Sequence, residues 1–328
     1  MSAAILNSSN SFLQPIAADM GAVDSLIRQD LHSDVALVNQ VAEYIIAAGG
    51  KRIRPALVLL LARAFGYTGS YHYTLAATIE FIHTSTLLHD DVVDESDLRR
   101  GQKTANALFG NAASVLVGDF LYTRAFQLMV SVNDMRVMQV MADATNVIAE
   151  GEVMQLMNVR EPDLSEESYL QVIHAKTAKL FEAAACLGAL VSSASDRDVE
   201  AAAAYGRAMG TAFQLIDDVL DYTGNVNETG KNIGNDLREG KVTLPLIHLI
   251  RNGTTSQRQL VRDCIVDGNM AQLGAILEAV TQSGGLEYTR KMAEASAESA
   301  KKAILHFPHS QFKDSLIQLC SFAAYRNF

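Results

Sequence analysis

Phe81-Ile82-His83-Thr84-Ser85-Thr86-Leu87-Leu88-His89-Asp90-Asp91-Val92-Val93-Asp94 is the stretch on which the reading of this chain turns. It shows no strand alternation and no turn residue, which predicts a helix. At about 100° per residue, Asp90 and Asp94 then lie one above the other, with Asp91 a quarter-turn away. Carboxylates so placed repel one another unless a cation sits among them. Hard divalent ions take oxygen ligands, and Mg²⁺ usually shares its coordination between one or two carboxylates and substrate phosphates. For a single cluster, a solvated acidic helix end is the simpler reading. This chain has a second. Gln214-Leu215-Ile216-Asp217-Asp218-Val219-Leu220-Asp221 repeats the Asp-Asp-x-x-Asp spacing 127 positions later, again after an apolar run.

The surrounding composition is helical. Of 328 residues, 49% are hydrophobic, only 5 are proline and none is tryptophan, and alternating β-branched runs are scarce. That balance predicts an all-α protein with a substantial core. A net charge of −10 argues against nucleic-acid binding, which needs clustered Lys and Arg, but leaves room for a small phosphorylated substrate. Cys186, Cys264 and Cys320 are few, widely spaced and odd in number, so they read as buried reduced thiols. Met1 to Ile27 contains no Lys or Arg, and the apolar run Pro55–Ala62 is too short to span a bilayer. The expectation is a cytoplasmic protein with no membrane span.

Along the chain, residues 1–18 read as a flexible N-terminus because Asn7-Ser8-Ser9-Asn10-Ser11 is polar and aperiodic. Residues 19–328 read as a single domain. Apolar positions recur at three- and four-residue steps from Asp19 to Ala48, and Gly49-Gly50 ends that segment. Helical runs follow over 55–66, 72–95, 104–111, 114–131, 134–157, 166–193, 197–222, 243–252, 256–266, 270–283, 285–306 and 310–326. The Gly- and Asn-rich interruption from Thr223 to Gly240, directly after the second aspartate cluster, reads as a functional loop.

Two acidic triplets facing each other across a helical cavity could clamp divalent ions around one diphosphate and make it a better leaving group. Lys51 and Arg54 occupy a glycine-led turn at a helix start, where backbone N–H groups also favour anions. Arg99, Arg100, Lys176, Lys231 and Lys241 add further cations. Each alone reads as a surface residue. Together they suggest sites for two polyanions, one bound through metal and one held by Arg and Lys alone.

These motifs, in this order, resemble the trans-prenyl diphosphate synthases. The resemblance rests on Gly-Gly-Lys51-Arg52-x-Arg54-Pro, on His83 seven positions before Asp90, and on Asp90-Asp91-x-x-Asp94 followed by Arg99-Arg100-Gly101. It continues through Lys176-Thr177, Gly210-x-x-Phe213-Gln214-x-x-Asp217-Asp218-x-x-Asp221 and Gly230-Lys231…Gly240-Lys241. It covers the chain from about residue 20 to the C-terminus. Within the family it is nearest the bacterial octaprenyl synthases of ubiquinone side-chain synthesis.

The resemblance implies the isoprenoid-synthase type of helical bundle with a central active-site cavity, a homodimer, and two to three Mg²⁺ ions. It implies that Asp90, Asp94 and Asp217 ligate metal, with Asp91, Asp218 and Asp221 as further ligands or supporting groups. Arg99, Lys176, Lys231 and Lys241 would hold the allylic diphosphate, with farnesyl diphosphate the expected primer and other allylic primers left open. Lys51, Arg54, His83 and Arg100 would bind isopentenyl diphosphate, and Thr177 and Gln214 would line the site beside the developing cation. His89 reads as a packing residue. Asn235 stands where many relatives carry a second aspartate, leaving Asp236 alone.

Ser85 and Thr86 occupy the positions that gate the elongation tunnel in this family. Both are small, which implies a long-chain product, octaprenyl ahead of shorter or longer, in a channel lined by Phe126 and Met129 among others. Transient membrane contact would serve release of so apolar a product. Three rivals remain: a class I terpene cyclase, a non-catalytic helical subunit of a synthase, and an acidic helical scaffold. The first would lack the second Asp-Asp-x-x-Asp, and the second would be expected to have lost ligand positions.

Overall fold

The computed structural model describes residues 11–99, 101–223, 233–268 and 270–326. A 3-10 turn, Ser11–Ile16, leads into α1 (Ala17–Asp30), α2 (Ala36–Ala47), α3 (Ile53–Ala64) and α4 (Tyr71–Val93). A hairpin of two-residue strands, β1 (Leu98–Arg99) and β2 (Gln102–Lys103), precedes α5 (Ala105–Phe109), α6 (Asn111–Ser131) and α7 (Met135–Met157). Next come α8 (Glu166–Ile173), a π-helical segment His174–Ala178, α9 (Lys179–Val191) and α10 (Asp196–Thr223). The chain closes with α11 (Asn235–Arg238), α12 (Leu244–Asn252), α13 (Thr255–Asp267), α14 (Leu273–Gln282), α15 (Gly285–Ala303) and α16 (Gln311–Tyr325). The all-α expectation is met.

The described residues group into two compact units. The first runs to Ala144 and includes Leu180–Gly206 and Lys301–Leu319; the second comprises Thr145–Lys179, Arg207–Ala300 and the residues from Cys320 on. In the first, α3 is buried at ten of its twelve positions, all but Arg54 and Arg63, as a helix apolar over most of its surface must be. It packs on α4, which in turn lies along α6. In the second, Leu215, Ile216 and Leu220 of α10 pack with Leu244, Leu246 and Leu249 of α12, Val261 and Ile265 of α13, and Ile276 of α14.

Three local expectations change. Of the 1–18 expectation, residues 1–10 lie outside the described residues, while 11–18 are helical, with Phe12 and Ile16 buried, because the sequence turns apolar after Ser11. The segment 19–48 is two helices, broken between Leu31 and Val35, where the Asn39 side chain takes the Ser33 N–H at 2.9 Å and donates to the Ser33 carbonyl at 2.7 Å. Short polar side chains that bond to nearby backbone in this way compete with helix. The run 166–193 contains the π-helical segment, which periodicity does not reveal.

Candidate active site

In the first unit, the three aspartates sit on the last turn of α4 because the apolar stripe ends at Leu88 and the helix at Val93. The Asp94 N–H donates to the Asp90 carbonyl at 2.8 Å. Carboxylates at a helix C-terminus oppose the helix dipole as well as one another, so the site calls for cations. One is built in. The hairpin after α4, turning at Gly101 (φ +74°), brings Arg99 back to fork onto Asp91. Its Nε lies 2.9 Å from Oδ1, and its Nη2 lies 2.7 Å from the same oxygen. Asp91 is fully buried. Burial opposes the Arg99 charge, but the bond to Asp91 and the fields of Asp91, Asp90 and Asp94 outweigh it and hold the guanidinium pKa above its ordinary value. Asp90 and Asp94 stay half-buried. His89 packs α4 to α6, with Nε2 3.2 Å from the Val115 carbonyl and 3.3 Å from Asp119. A Cβ on Gly118 would come within 2.4 Å of that ring.

The same unit holds the basic turn. Lys51 is exposed, and Arg54 Nη1 donates to His83 Nε2 at 3.1 Å while its guanidinium lies 4.4 Å from the Phe181 ring centroid. A guanidinium can only donate, so His83 presents a lone pair at Nε2. Ser85 is fully buried and donates to the Gly118 carbonyl at 2.8 Å; Thr86 is half-buried and donates to the His83 carbonyl at 2.8 Å. On α6, Met129 is buried and the half-buried Phe126 packs on Tyr122.

In the second unit, the π-helical segment carries Lys176 and Thr177. Such bulges recur at functional sites because they turn side chains that a regular helix would aim elsewhere. Gly151 of α7 lets the segment approach: a Cβ there would lie 2.7 Å from the Lys176 nitrogen. Lys176 Nζ reaches Glu152 at 2.5 Å. Thr177 donates to Gln214 Oε1 at 3.0 Å, Gln214 Nε2 donates to Asp218 Oδ1 at 2.8 Å, and the Tyr169 hydroxyl donates to Asp218 Oδ2. Asp218 is buried; desolvation first, then the charge of Asp236, pushes its carboxyl well above the usual carboxylate range. Asp217 stays 45% exposed at its side chain and accepts from Arg326 Nη2 at 2.5 Å. Asp221 receives the N–H groups of Asn235 at 3.0 Å and Asp236 at 3.2 Å, fixing the return of the chain into α11. Lys241 pairs with Glu239 at 2.6 Å.

The donor chemistry fits a hard divalent cation. Asp90, Asp94 and Asp217 are half-exposed oxygen donors at helix C-terminal ends. Among the described residues, no three His, Cys, Asp or Glu side chains form a metal cage of their own. Mg²⁺ that shares its coordination with substrate phosphate needs none. Arg100 and Lys231 lie outside the described residues. Tyr169, Arg326 and Glu152, which bond Asp218, Asp217 and Lys176, and Glu80, which bonds Arg52, were given no role by the sequence because each acts across 24 or more positions.

Residues 35–282 match the family described as Polyprenyl synthetase. The chain is 54% identical over 312 residues to the octaprenyl diphosphate synthase of Escherichia coli K12, covering 95% of this chain and 97% of that one. It is 46% identical to the geranyl-diphosphate-specific all-trans-nonaprenyl-diphosphate synthase of Rhodobacter capsulatus, covering 95% and 96%. The crystal structure of a polyprenyl synthase from Caulobacter crescentus CB15, complexed with calcium and isoprenyl diphosphate, superposes with a TM-score of 0.95 at 43% identity, covering 98% of each chain.

Proposed function

The chain belongs to the polyprenyl synthetase family, and from that membership we propose that it is a long-chain trans-polyprenyl diphosphate synthase making octaprenyl diphosphate. It is a prenyltransferase, adding isopentenyl diphosphate units head to tail onto an allylic diphosphate, here taken as farnesyl diphosphate. The product would supply the ubiquinone side chain. The observation that carries this reading is the 54% identity to an octaprenyl synthase over nearly the whole chain. Residues 19–328 are proposed to act as one synthase domain, since the family match runs through both units.

In this reading, Asp90, Asp94 and Asp217 would hold the two to three Mg²⁺ ions expected for the family, which would neutralise the allylic diphosphate and improve it as a leaving group. Asp91, fixed by Arg99, sets the end of α4, and Asp218 and Asp221 set the end of α10. Lys176, Lys231 and Lys241, with Arg99, add positive charge around the departing diphosphate. As the allylic C–O bond ionises, the Thr177 and Gln214 dipoles stabilise the carbocation. The isopentenyl double bond attacks that cation, a C–C bond forms, and the proton lost goes to the released diphosphate. Lys51, Arg54, His83 and Arg100 hold the isopentenyl diphosphate without metal. Small side chains at Ser85 and Thr86, with Phe126 and Met129 on α6, leave room for the growing chain.

We take the enzyme as a cytoplasmic homodimer. Leu116 and Val130 of α6 are 66% and 63% exposed, which supports a covered face on that helix. No helix among the described residues is long and apolar enough to cross a membrane; because the product is far more apolar than the protein, its release would involve transient membrane contact. Incubation with Mg²⁺, isopentenyl diphosphate and farnesyl diphosphate should give the octaprenyl product by mass. Absence of any prenyl product, with or without added partner proteins, would sink the reading.

A further inference from the structure

Three cations, Lys51, Arg52 and Arg54, fall within four residues at the start of α3, and one of them is paired with a carboxylate of α4. Arg52 Nη1 donates to Glu80 of α4, and the two side chains are only 16% and 10% exposed. Arg52 also holds the turn in an unusual shape: as the residue that opens α3 it sits at φ +50°, ψ +31°, in the left-handed region that disfavours side chains with a Cβ. Glu80 lies one helical turn before His83, the partner of Arg54. A single face of α4 therefore grips the basic turn at two points, through Glu80 to Arg52 and through His83 to Arg54.

We propose that Glu80 is a positioning residue for the metal-free diphosphate site, acting through Arg52 to hold Lys51 and Arg54 in register. This rests on the reading of Lys51 and Arg54 as the isopentenyl diphosphate site. The sign of the effect separates the idea from simple electrostatics. Removing a carboxylate beside an anion site should tighten anion binding if charge alone mattered. If Glu80 positions the turn, its removal weakens binding, because an anion site loses affinity when its donors are no longer preorganised.

The test measures isopentenyl diphosphate binding to the full chain in EDTA by calorimetry, with thermal melts as a check on folding. Glu80→Gln should weaken binding about tenfold, and so should Arg52→Asn, which keeps a residue tolerant of the left-handed turn. The double variant should be no weaker than either single, because the pair acts as one unit. In turnover, the KM for isopentenyl diphosphate should rise while kcat and the KM for farnesyl diphosphate stay put; general loosening would move all three. Unchanged or tighter binding by Glu80→Gln, or an additive loss of about a hundredfold in the double variant, would overturn the proposal. Should Glu80→Gln fail to fold, wild-type-strength binding by Arg52→Asn overturns it equally. If the wild type binds nothing in EDTA, or Lys51→Ala and Arg54→Ala bind as well as it does, the site assignment itself falls.

Discussion

At the end of α4 the central aspartate of the motif is held by a cation; in α10 the central aspartate is held by neutral donors. Asp91 is buried against the forked Arg99, whereas Asp218 is buried against the Tyr169 hydroxyl and the Gln214 amide. The resident arginine of the second motif, Arg326, sits one position earlier, on Asp217. Identical spacing thus hides opposite wiring. In the first motif the built-in charge goes to the buried residue and the outer carboxylates keep their half-exposed positions. In the second, burial raises the pKa of the buried carboxyl and an outer one is tethered.

The broadest test of the comparison is catalytic. Asp90→Asn and Asp217→Asn should each lower turnover on the order of 10²–10³-fold, the scale of losing a group that stabilises developing charge. Both should fold, because neither carboxylate is fully buried. Steady-state rates at saturating Mg²⁺ decide this, and a near-wild-type rate for either variant would remove that residue from the ligand set.

Stability divides the motifs more sharply. Asp91→Asn leaves Arg99 short of its partner in a largely buried place and should cost about 3 kcal/mol, the lower end for breaking a buried pair. Asp218→Asn should do the reverse to the metal-free protein. A carboxyl whose pKa is raised by burial is a cost borne by the folded state at neutral pH, about 1.4 kcal/mol for each tenfold loss of acidity. With the folded value above the unfolded one, the contribution of Asp218 to stability is most favourable below the unfolded value near 3.8 and declines as pH rises through the folded value. Asp218→Asn should flatten that decline. Denaturant melts in EDTA from about pH 4 to 8 would show it, and equal destabilisation by both variants would erase the contrast.

Most of the frame was legible beforehand because it is periodic: helix faces repeat every few residues, and both Asp-Asp-x-x-Asp ends are contiguous. What holds those ends was not. Arg326 reaches Asp217 from 109 positions away, and Tyr169 reaches Asp218 from 49. Neither spacing is a property of a helix. The π-helical segment bearing Lys176 was equally hidden, since its five residues have the same composition whether they wind as π or α.

Arg326 offers a smaller test. Its side chain is 1% exposed, stacks 3.8 Å from the Phe213 ring centroid and donates to the Phe213 carbonyl at 2.8 Å. Arg326→Met should cost about 1–2 kcal/mol, a stacked cation plus its hydrogen bonds, partly replaced by an apolar chain. Since Asp217 remains half-exposed, the loss should be less than for Asp91→Asn. Thermal denaturation of the two variants side by side ranks them.

Phe213 also marks the last difference between the motifs. It stands four positions before Asp217, where Thr86 stands before Asp90; one residue earlier, Ala212 corresponds to Ser85. An aromatic ring in α10 serves as a platform for Arg326, while the small Ser85 of α4 sits against α6 at Gly118. If α4 measures the product and α10 does not, Ser85→Phe should shorten it by several isoprene units at little cost in the rate of the first condensation. Overpacking at so buried a position costs about 1–3 kcal/mol, so Thr86→Phe, half-buried, provides the same ring with less strain. Phe213→Ala should loosen Arg326 and leave product length unchanged. Mass analysis of the three products settles which helix sets the length: shortening by Phe213→Ala, or none by either α4 variant, would reassign the measure to another helix.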